Sequence, residues 1–196
     1  MPCKPNIFII EDHPLVRDGL VSYFSGTDRF NVSGAASNLD DAKKLLQNVK
    51  ADILLLDIQL ENSWGLDIIP WLKTKPVLAV YSAFDDFIHV NAALGMGVQI
   101  YMCKRRSTKE LEQALLKGLN GETCIDDTIQ IKLDSIANVV SLLTRREAEI
   151  LTMVKNGLSN KDIAVNLGIS HRTVENILCC VYDKTGIKSR LELQKL

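Results

Sequence analysis

Five short, apolar segments alternate with helical patterns over the first 121 residues, and this alternation restricts the fold more than any other feature. The clearest segment, Ile53–Leu56, is too short for a helix and has no polar alternation, which predicts a strand buried on both faces. The sequence therefore predicts an α/β domain with a five-stranded parallel sheet, right-handed crossovers and helices on both faces. The predicted strands are Asn6–Ile10, Phe30–Ala35, Ile53–Leu56, Val77–Tyr81 and Gln99–Met102, and the predicted helices are Pro14–Ser25, Leu39–Val49, Leu66–Leu72, Asp86–Met96 and Lys109–Asn120.

The alternation ends near Gly121, and a purely helical pattern begins at Leu142. The predicted domains are therefore residues 1–121 and 142–196, joined by a linker, residues 122–141, that contains one short helix. In the second domain, capping boxes and glycine stops predict an all-α arrangement of four helices that includes a helix-turn-helix. These helices are Arg145–Lys155, Ser159 to Leu167, His171–Thr185 and Arg190–Leu196.

The charge divides at the same place. Up to Val140, 14 basic and 18 acidic residues give −4, whereas 9 basic and 6 acidic residues from Ser141 onward give +3. A mildly basic helical part behind an acidic α/β part suits a nucleic-acid-binding end and a control end. The five cysteines show no C-x-x-C spacing, which predicts reduced thiols in a cytoplasmic protein and no zinc site. With no apolar run of membrane-spanning length and no signal peptide, membrane association is not expected.

Carboxylates follow two of the predicted strands directly. Ile53–Leu56 stops at Asp57, and Asn6–Ile10 ends in Glu11 and Asp12. If the strands are neighbours, these groups meet at the carboxyl edge of the sheet, where each like-charged pair at ~4 Å repels by about 4 kcal/mol. A hard cation relieves this repulsion, and oxygen ligands with room for water and a phosphate suit Mg²⁺. Capping of the following helices is the alternative, which we favour for Asp57 alone but not for the three acids together.

Two further strand ends add a hydroxyl and an ammonium, because Ser82 follows Val77–Tyr81 and Lys104 follows Cys103. With the three acids, Ser82 and Lys104 in this order, the domain resembles the receiver domain of two-component response regulators. The helical part, through Leu143–Glu147, Ser159–Ala164 and Thr173–Asn176, resembles the LuxR-type helix-turn-helix. Together they resemble the NarL/FixJ class, which implies a flavodoxin-like receiver, a LuxR-type output domain and a sensor histidine kinase as partner.

The resemblance implies roles at the acidic edge. Asp57 accepts a phosphoryl group from a phosphohistidine, a reaction for which a carboxylate is a competent nucleophile. Glu11, Asp12 and Asp57 hold Mg²⁺ together with the backbone of Gln59, and Lys104 pairs with the phosphoryl oxygens. A solvated surface charge is the alternative reading of Lys104.

The resemblance also implies a switch, in which Ser82 moves to the phosphate and Tyr101 follows into the space left behind. Without the family, Ser82 could simply cap the next helix and Tyr101 could be an ordinary half-buried aromatic. Two departures affect the same place. Glu61 replaces the family's proline, which we expect to loosen the loop, and Phe84 is bulky enough to shield an acyl phosphate from water. We therefore expect slow self-dephosphorylation.

The second helix of the helix-turn-helix is expected in the major groove of promoter DNA. Asn176 could read adenine and Glu175 could accept from cytosine. Its outer face carries Cys179, Cys180 and Asp183, so few phosphate contacts, low affinity and a shallow salt dependence are expected. The predicted DNA-contacting residues are Lys161, Arg172, Thr173, Glu175, Asn176, Cys179, Lys184, Lys188 and Arg190.

These patterns predict a phosphorylation-controlled transcription regulator that acts as a homodimer on two half-sites. Its only chemistry is self-phosphorylation from a donor and self-dephosphorylation. One alternative is a regulator whose helical domain binds a protein, which the acidic outer face favours. A second is a haloacid-dehalogenase-like phosphatase with Asp57 as nucleophile, which Gln59 disfavours because those enzymes usually carry a second aspartate there.

Overall fold

The computed structural model describes residues 4–141, 143–187 and 189–194. The chain divides into two compact units, and the division falls after Asp127, within the segment predicted as a linker. The first unit is built on a sheet, and the second contains helices. Among the described helices, none combines the length and the hydropathy that a membrane span requires.

A parallel sheet forms the centre of the first unit. Its strands are β1 (Asn6–Ile10), β2 (Asn31–Ala36), β3 (Ile53–Leu56), β6 (Val77–Ser82), β7 (Ile100–Cys103) and β8 (Cys124–Ile125). A separate small hairpin is formed by β4 (Gln59–Leu60) and β5 (Ser63–Trp64). The sheet order is β2-β1-β3-β6-β7-β8, and every neighbouring pair is parallel. All five predicted strands are confirmed. The sixth, β8, lies in the predicted linker, because two residues are too few for a periodic signal.

The helices along this part of the chain mostly follow the prediction. They are α1 (Pro14–Gly26), α2 (Leu39–Leu46), a 3₁₀ helix (Gly65–Trp71), α3 (Phe87–Gly95), α4 (Thr108–Leu119) and α5 (Asp127–Ser141). The predicted helix near Leu66–Leu72 is a 3₁₀ helix that contains Pro70, which lacks the amide donor that a regular α-helix needs. With 15 residues, α5 is longer than the short helix expected in the linker.

The strands at the centre of the sheet are buried on both faces. Ile53 and Leu55 pack into one core cluster with Phe24 of α1 and Leu115 of α4. The alternate residue Leu54 is also fully buried. Burying one such side chain stabilises the fold by roughly 1.5–3 kcal/mol. Because both faces are covered, polar side chains from these strands can reach solvent only at the strand ends.

The hairpin β4–β5 follows β3 and turns at Glu61. Gln59 pairs with Trp64 and Leu60 with Ser63, so this segment is a paired hairpin rather than the loosened loop expected from the missing proline. Gly65 ends it, and a Cβ there would lie 1.9 Å from the backbone oxygen of Asp57. Only glycine therefore fits between the hairpin and the end of β3.

The second unit includes α5 from Thr128 onward. Its other helices are α6 (Arg145–Lys155), α7 (Asn160–Leu167), α8 (His171–Thr185) and α9 (Arg190–Gln194). Two predicted capping boxes are present, one between Thr144 and Glu147 and one between Ser159 and Asp162. Gly168 adopts φ 62°, a left-handed conformation that allows the turn between α7 and α8. The core includes Val174, Leu178 and Val181 from α8, whose helical spacing places them on one face of the helix.

Candidate functional site

The three acids meet at the carboxyl edge of the sheet. β1 and β3 are neighbours in register, with Ile10 opposite Leu56, so the residues that follow them lie side by side. Side-chain ligand atoms of Glu11, Asp12 and Asp57, with one from the adjacent His13, all lie within 4.8 Å of one another. Glu11 and Asp57 are 1 % and 5 % exposed, so their charges need compensation from the protein or from a bound cation.

One ammonium compensates part of this charge. Lys104 Nζ lies 2.7 Å from Asp57 Oδ2 and 2.7 Å from Glu11 Oε2. Burial lowers the pKa of Lys104, but its hydrogen bonds to Asp57 and Glu11 and the attraction of their charges together outweigh this effect and raise the pKa overall. Three carboxylates and one ammonium leave two negative charges, which a divalent cation would neutralise. The donor set of carboxylate oxygens fits a hard cation.

Ser82 and Lys104 bind different oxygens of Asp57. Ser82 Oγ donates to Oδ1 at 2.6 Å, and Lys104 donates to Oδ2 at 2.7 Å. The register of β6 and β7 places Ser82 opposite Cys103, and the Lys104 amide donates to the Ser82 carbonyl at 2.8 Å. The strand register and the hydrogen bond to Asp57 explain the position of Ser82 without a role in capping the next helix.

Tyr101 is fully buried in β7, rather than half-buried, and its hydroxyl donates to the carbonyl of Phe84 at 2.9 Å. Burial is the main reason that the pKa of Tyr101 is well above its usual value, so the hydroxyl remains a donor. The amide of Phe84 in turn lies 3.5 Å from Ser82 Oγ. The loop that follows β6 therefore links the hydroxyl at Asp57 with the hydroxyl of Tyr101.

A pocket of about 480 Å³ opens above Asp57, and its lining includes Gln59, Glu61 and Phe84. The Phe84 ring stacks on His89 with centroids 4.4 Å apart, and Trp64 lies 5.2 Å from His89. These three rings form an aromatic wall beside the pocket. No sequence pattern predicts this wall, since Trp64 and His89 come from separate elements without a shared pattern.

His13 contacts both Glu11 and Asp12. Its Nδ1 lies 2.8 Å from Asp12 Oδ1 and 3.2 Å from Glu11 Oε1, and its amide donates to Glu11 Oε1 at 3.1 Å. Its position directly after Glu11 and Asp12 was the available signal. His13 therefore contacts both carboxylates, and it lines the pocket together with Asp12.

In the second unit, α8 presents the expected outer face. Arg172, Glu175, Asn176 and Cys179 are exposed, and so are Thr173, Cys180 and Asp183. His171 Nδ1 lies 3.5 Å from Glu175 Oε1, and the Thr173 hydroxyl lies 2.8 Å from Ser170 Oγ. The face is therefore accessible and poor in positive charge.

Two predicted phosphate-contacting residues have partners inside the domain. Lys184 donates to Glu147 Oε2 at 2.7 Å, which joins the end of α8 to the capping box of α6. Arg190 donates to Asn160 Oδ1 at 2.7 Å and to the carbonyl of Leu158. The sequence did not indicate these structural roles.

Lys161 and Arg172 are exposed on α7 and α8. They remain predicted phosphate contacts. Lys188 lies outside the described residues. Lys184, which is also exposed, and Arg190 remain predicted phosphate contacts as well.

A parallel-sheet domain with this acidic edge, followed by a helix-turn-helix, defines a class of regulator. Residues 7–116 match the model of the response regulator receiver domain, and residues 141–196 match that of bacterial regulatory proteins of the luxR family. The chain therefore belongs to the response regulator family, with a LuxR-type output domain consistent with the NarL/FixJ class.

Two curated relatives match this chain over nearly the full length of both proteins. The response regulator protein VraR of Staphylococcus aureus is 30% identical, with 96% of this chain and 90% of VraR covered. The transcriptional regulatory protein YdfI of Bacillus subtilis is 28% identical, with 95% and 92% covered. Among solved structures, a complex of the two-component response regulator RcsB with DNA is similar at TM-score 0.70 and 19% identity, covering 98% of this chain and 96% of RcsB. At that identity the likeness supports the fold.

Proposed function

We propose that Asp57 accepts a phosphoryl group from a phosphohistidine of a sensor histidine kinase in the cytoplasm. A carboxylate oxygen of Asp57 attacks phosphorus, the phosphorus–nitrogen bond breaks, and the imidazole leaves with the electron pair. The observation that carries this proposal is that Ser82 and Lys104 each bind one oxygen of a buried carboxylate at 2.6 and 2.7 Å. Such alignment supplies the positioning and charge neutralisation that phosphoryl transfer needs. The same site then loses its phosphoryl group to water.

Mg²⁺ is the cation that we propose for the acidic edge, held by Glu11, Asp12, Asp57 and the backbone of Gln59. When bound, it neutralises charge on the phosphoryl oxygens. Lys104 leaves Asp57 for the phosphoryl group, with which its ammonium pairs. Glu11 remains a second partner of that ammonium at 2.7 Å, so the move does not leave Lys104 unpaired.

Ser82 and Tyr101 form the proposed switch. Ser82 already donates to Asp57. Tyr101 is buried in β7, and its hydroxyl donates to Phe84, the loop residue whose amide also contacts Ser82. A phosphoryl group on Asp57 offers Ser82 a more strongly charged acceptor than the carboxylate does, which stabilises this arrangement. Phosphorylation then shifts the population toward the state with Tyr101 buried.

The output that we propose is promoter DNA, bound by a homodimer with α8 in the major groove. Asn176 reads adenine and Glu175 accepts from cytosine, while Lys161 and Arg172 contact phosphates. With so few basic contacts, the affinity is low and its salt dependence shallow. The luxR-family match of the output domain supports DNA as the ligand.

A second candidate output is a protein partner. The outer face of α8 presents Glu175, Cys179, Cys180 and Asp183, all exposed, and two of these four are acids. Such a face is unfavourable next to phosphates and suits a basic protein surface.

The test compares wild type with Asp57→Asn after treatment with acetyl phosphate and Mg²⁺. Fluorescence anisotropy at low salt measures binding to promoter fragments of the genome. DNA output predicts binding that phosphorylation strengthens in wild type and leaves unchanged in Asp57→Asn. If phosphorylated wild type binds none of the fragments, DNA is not the output, and the protein-binding alternative remains.

A further inference from the structure

The segment that follows α4 is bound to the strand that carries Tyr101. β8 pairs in parallel with β7, and Tyr101 lies opposite Ile125. The amides of Cys124 and Asp126 donate to the carbonyls of Gln99 and Tyr101 at 2.9 and 2.8 Å. The match to the receiver domain ends at residue 116, so β8 lies beyond the matched segment. The path toward the output domain therefore begins as a sixth strand of the receiver sheet.

An ion pair holds the end of this strand. Asp126 is only 2 % exposed. Arg106 donates to both of its oxygens, from Nε at 2.7 Å and from the second terminal nitrogen at 2.8 Å. Two parallel hydrogen bonds fix the relative position of the two groups more strictly than a single contact does. A carboxylate this deeply buried depends on such a partner, so the position of β8 depends on where Arg106 lies.

Arg106 is separated from Lys104 by a single residue. The ammonium of Lys104 lies 2.7 Å from Asp57, and the guanidinium of Arg106 binds the linker carboxylate. Between these points the chain is a tight turn, because the Arg106 amide donates to the Cys103 carbonyl at 2.8 Å. The hydroxyl of Tyr81 donates to the Arg106 carbonyl at 2.9 Å. Lys104 and Arg106 are therefore joined by a short, hydrogen-bonded loop.

We propose that β8 and the Arg106–Asp126 ion pair form a latch that couples the state of Asp57 to the start of α5. This proposal rests on the proposed phosphorylation of Asp57. The latch is closed in the arrangement that places Ser82 on Asp57 and Tyr101 in the interior. Phosphorylation therefore stabilises the closed latch, and by thermodynamic reciprocity the closed latch strengthens binding of a phosphoryl group at Asp57. Arg106 acts as a positioning residue, through Lys104, and does not itself touch the reacting atoms.

Beryllofluoride with Mg²⁺, a mimic of the phosphoryl group, tests this reciprocity in the full chain. Trp64 in the aromatic wall reports binding by fluorescence, and Trp71→Phe makes it the single tryptophan. In that background, Asp126→Asn and Arg106→Gln break the latch, and Glu122→Gln changes an exposed linker carboxylate as the matched control. The latch variants are expected to bind beryllofluoride at least about fivefold more weakly than the Trp71→Phe parent, which is the lower end of typical coupling between sites. The control is expected to bind as the parent does.

Hydrogen exchange of the peptide that covers residues 120–128 gives the second readout. Beryllofluoride is expected to slow exchange of the Cys124 and Asp126 amides in wild type and to leave it fast in Asp126→Asn. A purely structural ion pair would lower the melting temperature without this dependence on beryllofluoride. If Asp126→Asn does not fold, Arg106→Lys keeps the charge without the two-pronged contact and serves in its place.

The outcomes separate the two proposals. If wild type does not bind beryllofluoride, the proposed role of Asp57 fails and the latch fails with it. If wild type binds it, but the latch variants bind equally well or the exchange of residues 120–128 does not change, the latch alone is refuted.

Discussion

The edge of the sheet around Asp57 and the outer face of α8 differ in how fully their side chains are paired. Both oxygens of Asp57 have partners at 2.6 and 2.7 Å, whereas the contact that Glu175 makes on α8 is 3.5 Å long. A reacting group must be aligned before its substrate arrives, because the alignment is what accelerates the reaction. A surface that reads a partner obtains its contacts only in the complex. The contacts that the Asp57 edge needs for its reaction are therefore already present in the isolated chain, whereas the outer face of α8 forms its functional contacts only with its partner.

Substitution of Gly65 has the largest expected effect and tests how rigidly the Asp57 edge is built. In Gly65→Ala the new Cβ meets the Asp57 carbonyl at 1.9 Å, a backbone atom that cannot move aside cheaply. We expect a loss of about 3 kcal/mol in the free energy of unfolding, at the upper end for overpacking, measured by urea denaturation. Gly19→Ala is the control, because its Cβ meets nothing within 4 Å, and it should be neutral or stabilising. Equal stability of both variants would mean that the edge is pliable.

Removal of the Phe84 ring tests whether the aromatic wall protects the phosphorylated site. Phe84→Ala keeps the carbonyl that accepts from Tyr101 but removes the ring that stacks on His89 at 4.4 Å. Water then reaches the acyl phosphate more easily, and the half-life of phosphorylated protein should fall several-fold. A time course of phosphate release measures it, with Met96→Ala, a partly exposed side chain elsewhere, as the control. Fast release from wild type, unchanged in Phe84→Ala, contradicts the shielding role.

A lysine on the outer face of α8 tests whether this face lies against phosphates. Cys179→Lys should tighten non-specific DNA binding, and the slope of log K against log salt should steepen by about 0.9 for one added phosphate contact. Leu45→Lys adds the same charge to the exposed side of α2 and should leave the slope unchanged. Anisotropy titrations over a range of salt concentrations give both slopes. An unchanged slope in Cys179→Lys places this face away from the DNA.

The smallest effect concerns the ion pair that holds α8 to α6. The hydrogen bond from Lys184 is the main reason that the pKa of Glu147 is below its ordinary value of 4.5. The resulting stabilisation is fully present above about pH 4.5 and is lost as the pH falls through the lower folded-state pKa. Glu147→Gln should therefore be less stable than wild type at pH 7, and the difference should shrink below pH 4.5. Urea denaturation across this range checks it, with Glu149→Gln, whose carboxylate pairs with Arg146 on the surface, as the control.

The sequence predicted the Asp57 edge better than it predicted the contacts within the helical unit. Asp57, Ser82 and Lys104 follow apolar strands, and a parallel sheet brings such strand ends together, so the sequence sufficed to place them. β8 was missed because two residues carry no periodicity. The internal roles of Lys184 and Arg190 were missed because long basic side chains choose partners by tertiary packing, which residue type does not reveal. All the predicted DNA contacts, including these two, remain predictions.

The most direct test is peptide mapping by mass spectrometry after incubation with acetyl phosphate and Mg²⁺. We expect one phosphoryl group on the peptide that contains Asp57 and none on that peptide in Asp57→Asn. Absence of phosphate from wild type, or its appearance on a different peptide, would contradict the assignment of this edge as a phosphoacceptor site.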